Sequence, residues 1–203
     1  MGLYRQWCLY KAEVKRKRLV PLLKKQETIL DIGTGNGALA HLIAKEGHSI
    51  TTLDVKPKCI FDNLENHLYD GGVFPFPDSA FSTSLLITML HHTRDPEHIL
   101  REAIRVSNRL IVMEDVYSNR FQQYLTYFAD KVVNAEFIGH PHTNKSDSDW
   151  KACFESLGLD LCREESVRFG WFFRQVTYVL EVRAIHKKIK SEPSVKMKLP
   201  KAG

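Results

Sequence analysis

The run Asp31-Ile-Gly33-Thr34-Gly35-Asn-Gly37 places three glycines at alternate positions behind a carboxylate. Glycine in such a turn lets backbone come nearer to a ligand, or to another chain, than a Cβ would allow. Gly33 to Ala38 also fits the dinucleotide pattern GxGxxA, with Asp54 at a suitable distance. A dinucleotide, however, sets its pyrophosphate on the helix N-terminus, where bare N–H groups and the helix dipole favour anions. Asp31 adds negative charge beside that site, so a cationic ligand suits it better.

S-adenosylmethionine has the required character: a sulfonium, an ammonium and a carboxylate that can use nearby N–H groups. Asp54 ends the strand-like run 49–54 and, ionised, can accept from both ribose hydroxyls. The ligand would lie across the carboxyl ends of the central strands. Other segments extend the pattern: Leu53-Asp54-Val55, Asp70-Gly71-Gly-Val-Phe-Pro75-Phe76-Pro77-Asp78-Ser-Ala-Phe81, and Met89-Leu90-His91-His92-Thr-Arg-Asp95-Pro96 followed by Arg101-Glu-Ala-Ile-Arg105-Val106. In this order over residues 28–184, the chain resembles the class I S-adenosylmethionine-dependent methyltransferases, in their small-molecule branch. The resemblance implies that Asp31, Gly33, Thr34, Gly35 and Gly37 hold the methionine end, and that Asp54 takes the ribose with Val55 against the adenine. It further implies Asp70 at the adenine amino group, the Gly71 amide at a ring nitrogen, and Ile87 and Thr88 as the floor beneath the sulfur. Two departures stand out. Ser82 follows Phe81 where the family has an acid, which we expect to affect only the start of that strand. Only 15 residues separate Asp54 from Asp70, so the second crossover is expected to be abbreviated.

Methyl transfer needs alignment of an activated carbon and, for an alcohol, phenol or carbon acid, a base. His91 and His92 follow the fourth strand, and an imidazole titrates near neutral pH. The competing reading is that they organise the loop and cap the next helix. Glu114 and Asp115 end the fifth strand, with catalytic and structural readings in balance. His140 and His142 lie with Asn134 and Asn144 in a long irregular stretch of the kind that covers active sites. The catalytic candidates are therefore His91, His92, Glu114 and His142. Trp171, Phe172 and Phe173 read as a plug at the sheet end, with an apolar acceptor pocket as the alternative. No metal-ligand spacing is present.

Positioning these groups takes alternating strands and helices, and the βαβ rhythm predicts a parallel sheet flanked by helices. Strands are expected at 28–32, 49–54, 84–90 and 109–114, and helices at 37–46, 95–106, 121–133 and 147–157. Runs 160–169 and 175–184 suggest an antiparallel hairpin at the sheet edge. The fold class expected is a three-layer α/β Rossmann-like methyltransferase fold with a mostly parallel, seven-strand-type sheet. Residues 3–23 read as an amphipathic helix interrupted near Pro21. We expect that helix to pack its aromatics, Tyr4, Trp7 and Tyr10, on the domain, with a membrane-surface role as the alternative. The division expected is an N-terminal helical lid at 1–25, a catalytic domain at 26–185 and a disordered Lys-rich tail at 186–203.

Charge is distributed unevenly over the 203 residues, whose net is +5. The tail from 186 holds six lysines against one glutamate, and residues 5–25 hold eight basic residues against Glu13. The remaining centre holds 15 basic and 22 acidic residues, which weighs against a polyanionic substrate at the cleft. The four scattered cysteines read as reduced thiols of a cytoplasmic protein. No secretory signal or bilayer-spanning run is evident, so no stable membrane anchor is expected. The function expected is methyl transfer to an O, C or N atom of a small, partly apolar acceptor, with no nucleic-acid partner. Alternatives are a methyltransferase acting on RNA or protein, a nicotinamide-dependent oxidoreductase, and an inactive cofactor-binding module.

Overall fold

The strand β1, Thr28–Ile32, buries every residue after Thr28, as a central parallel strand does when helices cover both faces. The computed structural model describes residues 2–116, 145–169 and 173–183. Six further strands join β1: β2 (Ser49–Asp54), β3 (Glu65–Leu68), β4 (Phe81–Ile87), β5 (Ser107–Val116), β6 (Leu159–Phe169) and β7 (Phe173–Val182). They form one sheet in the order β3-β2-β1-β4-β5-β7-β6. The first five are mutually parallel, and β7 runs antiparallel to both β5 and β6. The strand order reverses at β1 and β4, with β2 and β3 added on one side and β5 on the other, which opens a crevice at their carboxyl ends.

Period-two alternation sends side chains to two cores. Leu30, Leu86, Leu110 and Val112 face one core with Trp150, Phe154 and Tyr178. Ile29, Leu85, Ile111 and Met113 face the other, with Leu19, Leu22 and Ile43. Among the described residues the α-helices are α1 (Leu3–Leu19), α2 (Ala38–Lys45), α3 (Pro96–Val106) and α4 (Asp147–Ser156). Asp95 caps α3 by accepting from the His98 amide, with Pro96 in the first turn. Ser146 and Asp149 form a reciprocal capping box on α4.

Most expected elements are present, with three differences. β4 starts and ends three residues earlier than the apolar run suggests, because Leu90–His92 form a 3-10 turn. The second crossover is short: residues 55–64, all described, form no helix, and β3 has four residues. Ser82, at the departure from the family pattern, exchanges hydrogen bonds with Thr28 and so stitches the start of β4 to β1.

The third difference concerns α1. Its aromatics lie largely outside: Tyr4 is 65% exposed, Trp7 55% and Tyr10 68%. The buried residues are Cys8, Ala12 and Leu19. The row Leu3, Trp7, Tyr10, Val14 has helical spacing and looks like the inner face, yet it lies outside. The row Cys8, Ala12, Lys15, Leu19 has the same spacing and lies inward. Arg16 pairs with Glu13 and with Glu46 after α2, and Arg18 donates to Gln175 and Thr177 on β7. These polar ties set the roll of the helix. Among the described residues no helix is long and apolar enough to cross a membrane. The expected helix at 121–133 lies outside the described residues.

Candidate active site

Asp31 is 3% exposed near the carboxyl end of β1. Alternation puts it with Ile29 on the face that α1 and α2 cover. Burial pushes its carboxyl up to about 6, with further repulsion from Asp54, while the Thr34 hydroxyl and Lys15 pull the other way. Thr34 Oγ1 donates to Asp31 Oδ2 at 2.6 Å. A carboxylate kept under such tension favours any cation brought to it.

The three glycines do different work. A Cβ on Gly33 would stand 3.0 Å from the Met89 side chain, and one on Gly37 would stand 2.5 Å from Cys59 Sγ. Packing within the chain disfavours a side chain at both, in addition to their φ of +70° and +77°. A Cβ on Gly35 would meet no heavy atom within 4 Å, so this glycine answers to its φ of +57°. The Gly35 amide donates to Asp54 Oδ2 at 2.8 Å, and the Lys56 amide to Oδ1 at 3.0 Å. Each Asp54 oxygen thus keeps a lone pair for a second donor, which matches the two hydroxyls of a ribose.

The residues that the resemblance assigns to the adenine lie next to Asp54. Tyr69 N–H donates to the Asp54 carbonyl at 3.2 Å, and a Cβ on Gly71 would lie 3.9 Å from Val55. Asp70 is exposed and accepts from the Gly72 amide through Oδ1. The loop carrying these residues is held by α3. His98 Nε2 meets the Gly72 carbonyl at 3.1 Å, and Glu102 accepts from the Phe74 amide at 2.8 Å. Arg105 donates to the carbonyls of Phe74 and Phe76 and to Asp78. These contacts fix the loop between β3 and β4 to α3.

Ile87 and Thr88 sit at the end of β4. Thr88 is a β-branched residue at φ +53°, a strained backbone state. Its N–H donates to the Met113 carbonyl at 2.7 Å, and its hydroxyl accepts from Lys15 Nζ at 2.7 Å. Thr88 thereby joins β4, β5 and α1 at one point.

Adjacent acids on β5 take opposite sides. Glu114 is fully buried; Oε1 accepts from the Met89 and Leu90 amides, and Oε2 pairs with His91 Nδ1 at 2.5 Å. These are the contacts of a brace for the turn after β4, so the structural reading of Glu114 and His91 is the one their geometry fits. His92 is half-buried, its ring centroid 4.0 Å from that of His91. Asp115 faces α1 instead. It accepts from Gln175 Nε2 at 2.9 Å, and burial raises its pKa. His140, His142, Asn134, Asn144, Trp171 and Phe172 lie outside the described residues, as does the Phe173 side chain.

Sequence reading missed Lys15, Arg18 and Gln175. The available signal was the helical row Cys8, Ala12, Lys15, Leu19, which places a lysine among inward positions. It was masked by the more apolar row beside it. The braces His98 and Glu102 carried no sequence signal of their own.

Three features test the fit of S-adenosylmethionine: the buried acid at Asp31, the open Cβ position at Gly35, and the paired acceptors of Asp54. All three fit a cationic adenosine derivative, and none provides a diphosphate with a positive partner. Residues 4–164 match the methyltransferase domain family. The chain is 28% identical over 144 residues to a demethylmenaquinone methyltransferase of Tropheryma whipplei (strain Twist), covering 61% of this chain and 60% of that protein. It is 29% identical over 121 residues to a tRNA U34 carboxymethyltransferase of Ruthia magnifica subsp. Calyptogena magnifica, covering 51% of this chain and 38% of that one. The chain thus spans about 60% of the length of the first of these relatives. The magnesium protoporphyrin IX methyltransferase of Synechocystis PCC 6803, solved with bound SAH, shares the fold at a TM-score of 0.62 and 13% identity, over 85% of this chain and 83% of that one. A seven-stranded sheet of this order, a family match over most of the chain and a turn suited to a cationic nucleoside agree: the chain belongs to the class I, S-adenosylmethionine-dependent methyltransferase family.

Proposed function

We propose that the chain transfers a methyl group from S-adenosylmethionine to an O, C or N atom of a small, partly apolar acceptor. The observation that carries the reading is the Asp54 carboxylate, fixed by the Gly35 and Lys56 amides with an acceptor position left on each oxygen. The cofactor, when bound, supplies a methyl group already activated by the sulfonium. The chain's own part is alignment. Asp54 would orient the ribose, Asp31 would hold the ammonium, and Ile87 and Thr88 would set the floor on which the acceptor approaches. Val55, Asp70 and Gly71 would enclose the adenine. We assign Glu114 and His91 to positioning, since the hydrogen bonds of Glu114 to the Met89 and Leu90 amides and to the His91 ring fix the turn after β4.

The small-acceptor reading is supported by the acidic strand ends, Asp31, Glu114 and Asp115, which would repel a polyanion. It also agrees with the quinone named for the Tropheryma relative. Transfer of labelled methyl from S-adenosylmethionine to reduced demethylmenaquinone, and to a small-metabolite extract, tests it. Label in a small apolar product is expected. Label in RNA or protein fractions alone would transfer the activity to a macromolecule. In that case a salt-dependent RNA shift, lost on deleting residues 187–203, would identify the basic tail as the docking element.

A further inference from the structure

Lys15 stands where a solvated lysine has no reason to be. It lies on the inward row of α1, half-buried, with Nζ donating to Thr88 Oγ1 at 2.7 Å. Thr88 is the strained residue at the end of β4, beside the glycine turn through Met89, which packs on Gly33. Removal from water lowers the Lys15 pKa, while the fields of Asp115, Glu114 and Asp31 hold the proton on, and Lys11 opposes them. Asp31 feels Lys15 in return. The hydrogen bond to Thr88 uses one of three ammonium donors. None of the ion pairs within 4 Å among the described residues includes Lys15. A desolvated cation near, but not in contact with, its neutralising acids is stabilised by an anion delivered into the gap.

Resting on the cofactor reading of this site, we propose that Lys15 is the counter-ion of the cofactor's α-carboxylate. The pocket then reads the methionine end as a zwitterion, with Asp31 on the α-ammonium and Lys15 on the carboxylate. Both residues belong to the same face of the sheet, which is why one helix can serve both charges. The proposal gives α1 a binding role: the helix delivers half of the charge recognition and would be drawn onto the sheet by the ligand. It also gives the roll of α1 a function, since that roll turns the half-buried Lys15 inward while leaving Trp7 and Tyr10 outside.

Titration calorimetry with S-adenosylmethionine and its decarboxylated form tests this in the full-length protein. Wild type is expected to bind the carboxylated cofactor at least tenfold more tightly, the scale of one charge-assisted hydrogen bond. Lys15→Met is expected to lose that preference, weakening S-adenosylmethionine at least tenfold and the decarboxylated form less than twofold. Lys15→Arg should recover most of the preference. Equal affinity of wild type for the two compounds would overturn the proposal without any variant having to fold. So would an equal loss of both in Lys15→Met, which would mark a lysine that only secures α1 and Thr88. An unchanged Lys15→Met would overturn it too, and would leave Lys15 to the acceptor. Binding of neither compound to wild type would remove the cofactor reading itself, and the proposal with it.

Discussion

Asp31 is a carboxylate whose burial raises its pKa from 3.8 to about 6. The folded protein therefore binds a proton there more tightly than the unfolded chain does. Stability falls as pH rises from about 4 to 6, and above 6 the full penalty of about 3 kcal/mol is present. Asp31→Asn should remove that penalty, since the amide oxygen can still accept from Thr34. We expect a higher Tm than wild type at pH 7.5 and little difference at pH 4, measured by thermal unfolding. The same variant should bind S-adenosylmethionine at least tenfold more weakly at pH 7.5, because a neutral amide replaces the proposed partner of the ammonium. Stability gained and affinity lost in one substitution would mark a residue strained for function. A second comparison separates ribose recognition from the histidine turn: Asp54→Ala should weaken cofactor binding more than His92→Ala does, by titration calorimetry. Equal affinities of wild type and Asp54→Ala would refute the ribose assignment.

The turn Leu90–His92 depends heavily on one side chain. From a fully buried position Glu114 accepts from the Leu90 amide and from the Met89 amide just before the turn, and pairs with the His91 ring. Glu114→Ala would strand these donors away from water, and we expect a loss of about 3 kcal/mol in denaturant unfolding. Because the same turn carries Met89 against Gly33, cofactor affinity should fall as well. A loss under about 0.5 kcal/mol, the range of an ordinary surface change, would show that the turn is supported elsewhere. The loop from Gly72 to Asp78 has an analogous support from His98, Glu102 and Arg105 on α3. In both cases an irregular segment is fixed by charged side chains of a neighbouring regular element.

For the molecule as a whole, a ligand that binds only the folded state adds stability by mass action. SAH at a hundredfold excess over its Kd should add about 2.7 kcal/mol, or roughly 5–10 °C in Tm for a domain of this size. NAD at the same concentration should add nothing. A shift with NAD and none with SAH would restore the oxidoreductase reading. Uneven charge belongs to this scale too: the basic excess lies at the two ends of the chain and the acidic excess between them. Part of the N-terminal excess is drawn into the fold, with Lys15 on Thr88, Arg16 on Glu13 and Arg18 on Gln175.

Sequence alone determined the features that depend on short-range interactions. Short runs rich in Ile, Leu and Thr, each set off by a nearby glycine or proline, specified β1 and β2 to the residue. Asp95-Pro96 announced the start of α3, because its capping chemistry is local. The glycine turn before α2 was legible because positive φ and close backbone approach admit few residue types. Tertiary structure alone decided which face each polar group took. Glu114 and Asp115 are neighbours in sequence, yet the pleat sends one to brace a turn and the other towards α1. The two rows of α1 have the same spacing, and apolarity favoured the wrong one. The roll was settled by long-range partners on β4 and β7 and at the end of α2. A desolvated lysine is tolerated where several acids converge on it, and that convergence exists only once the strands are side by side.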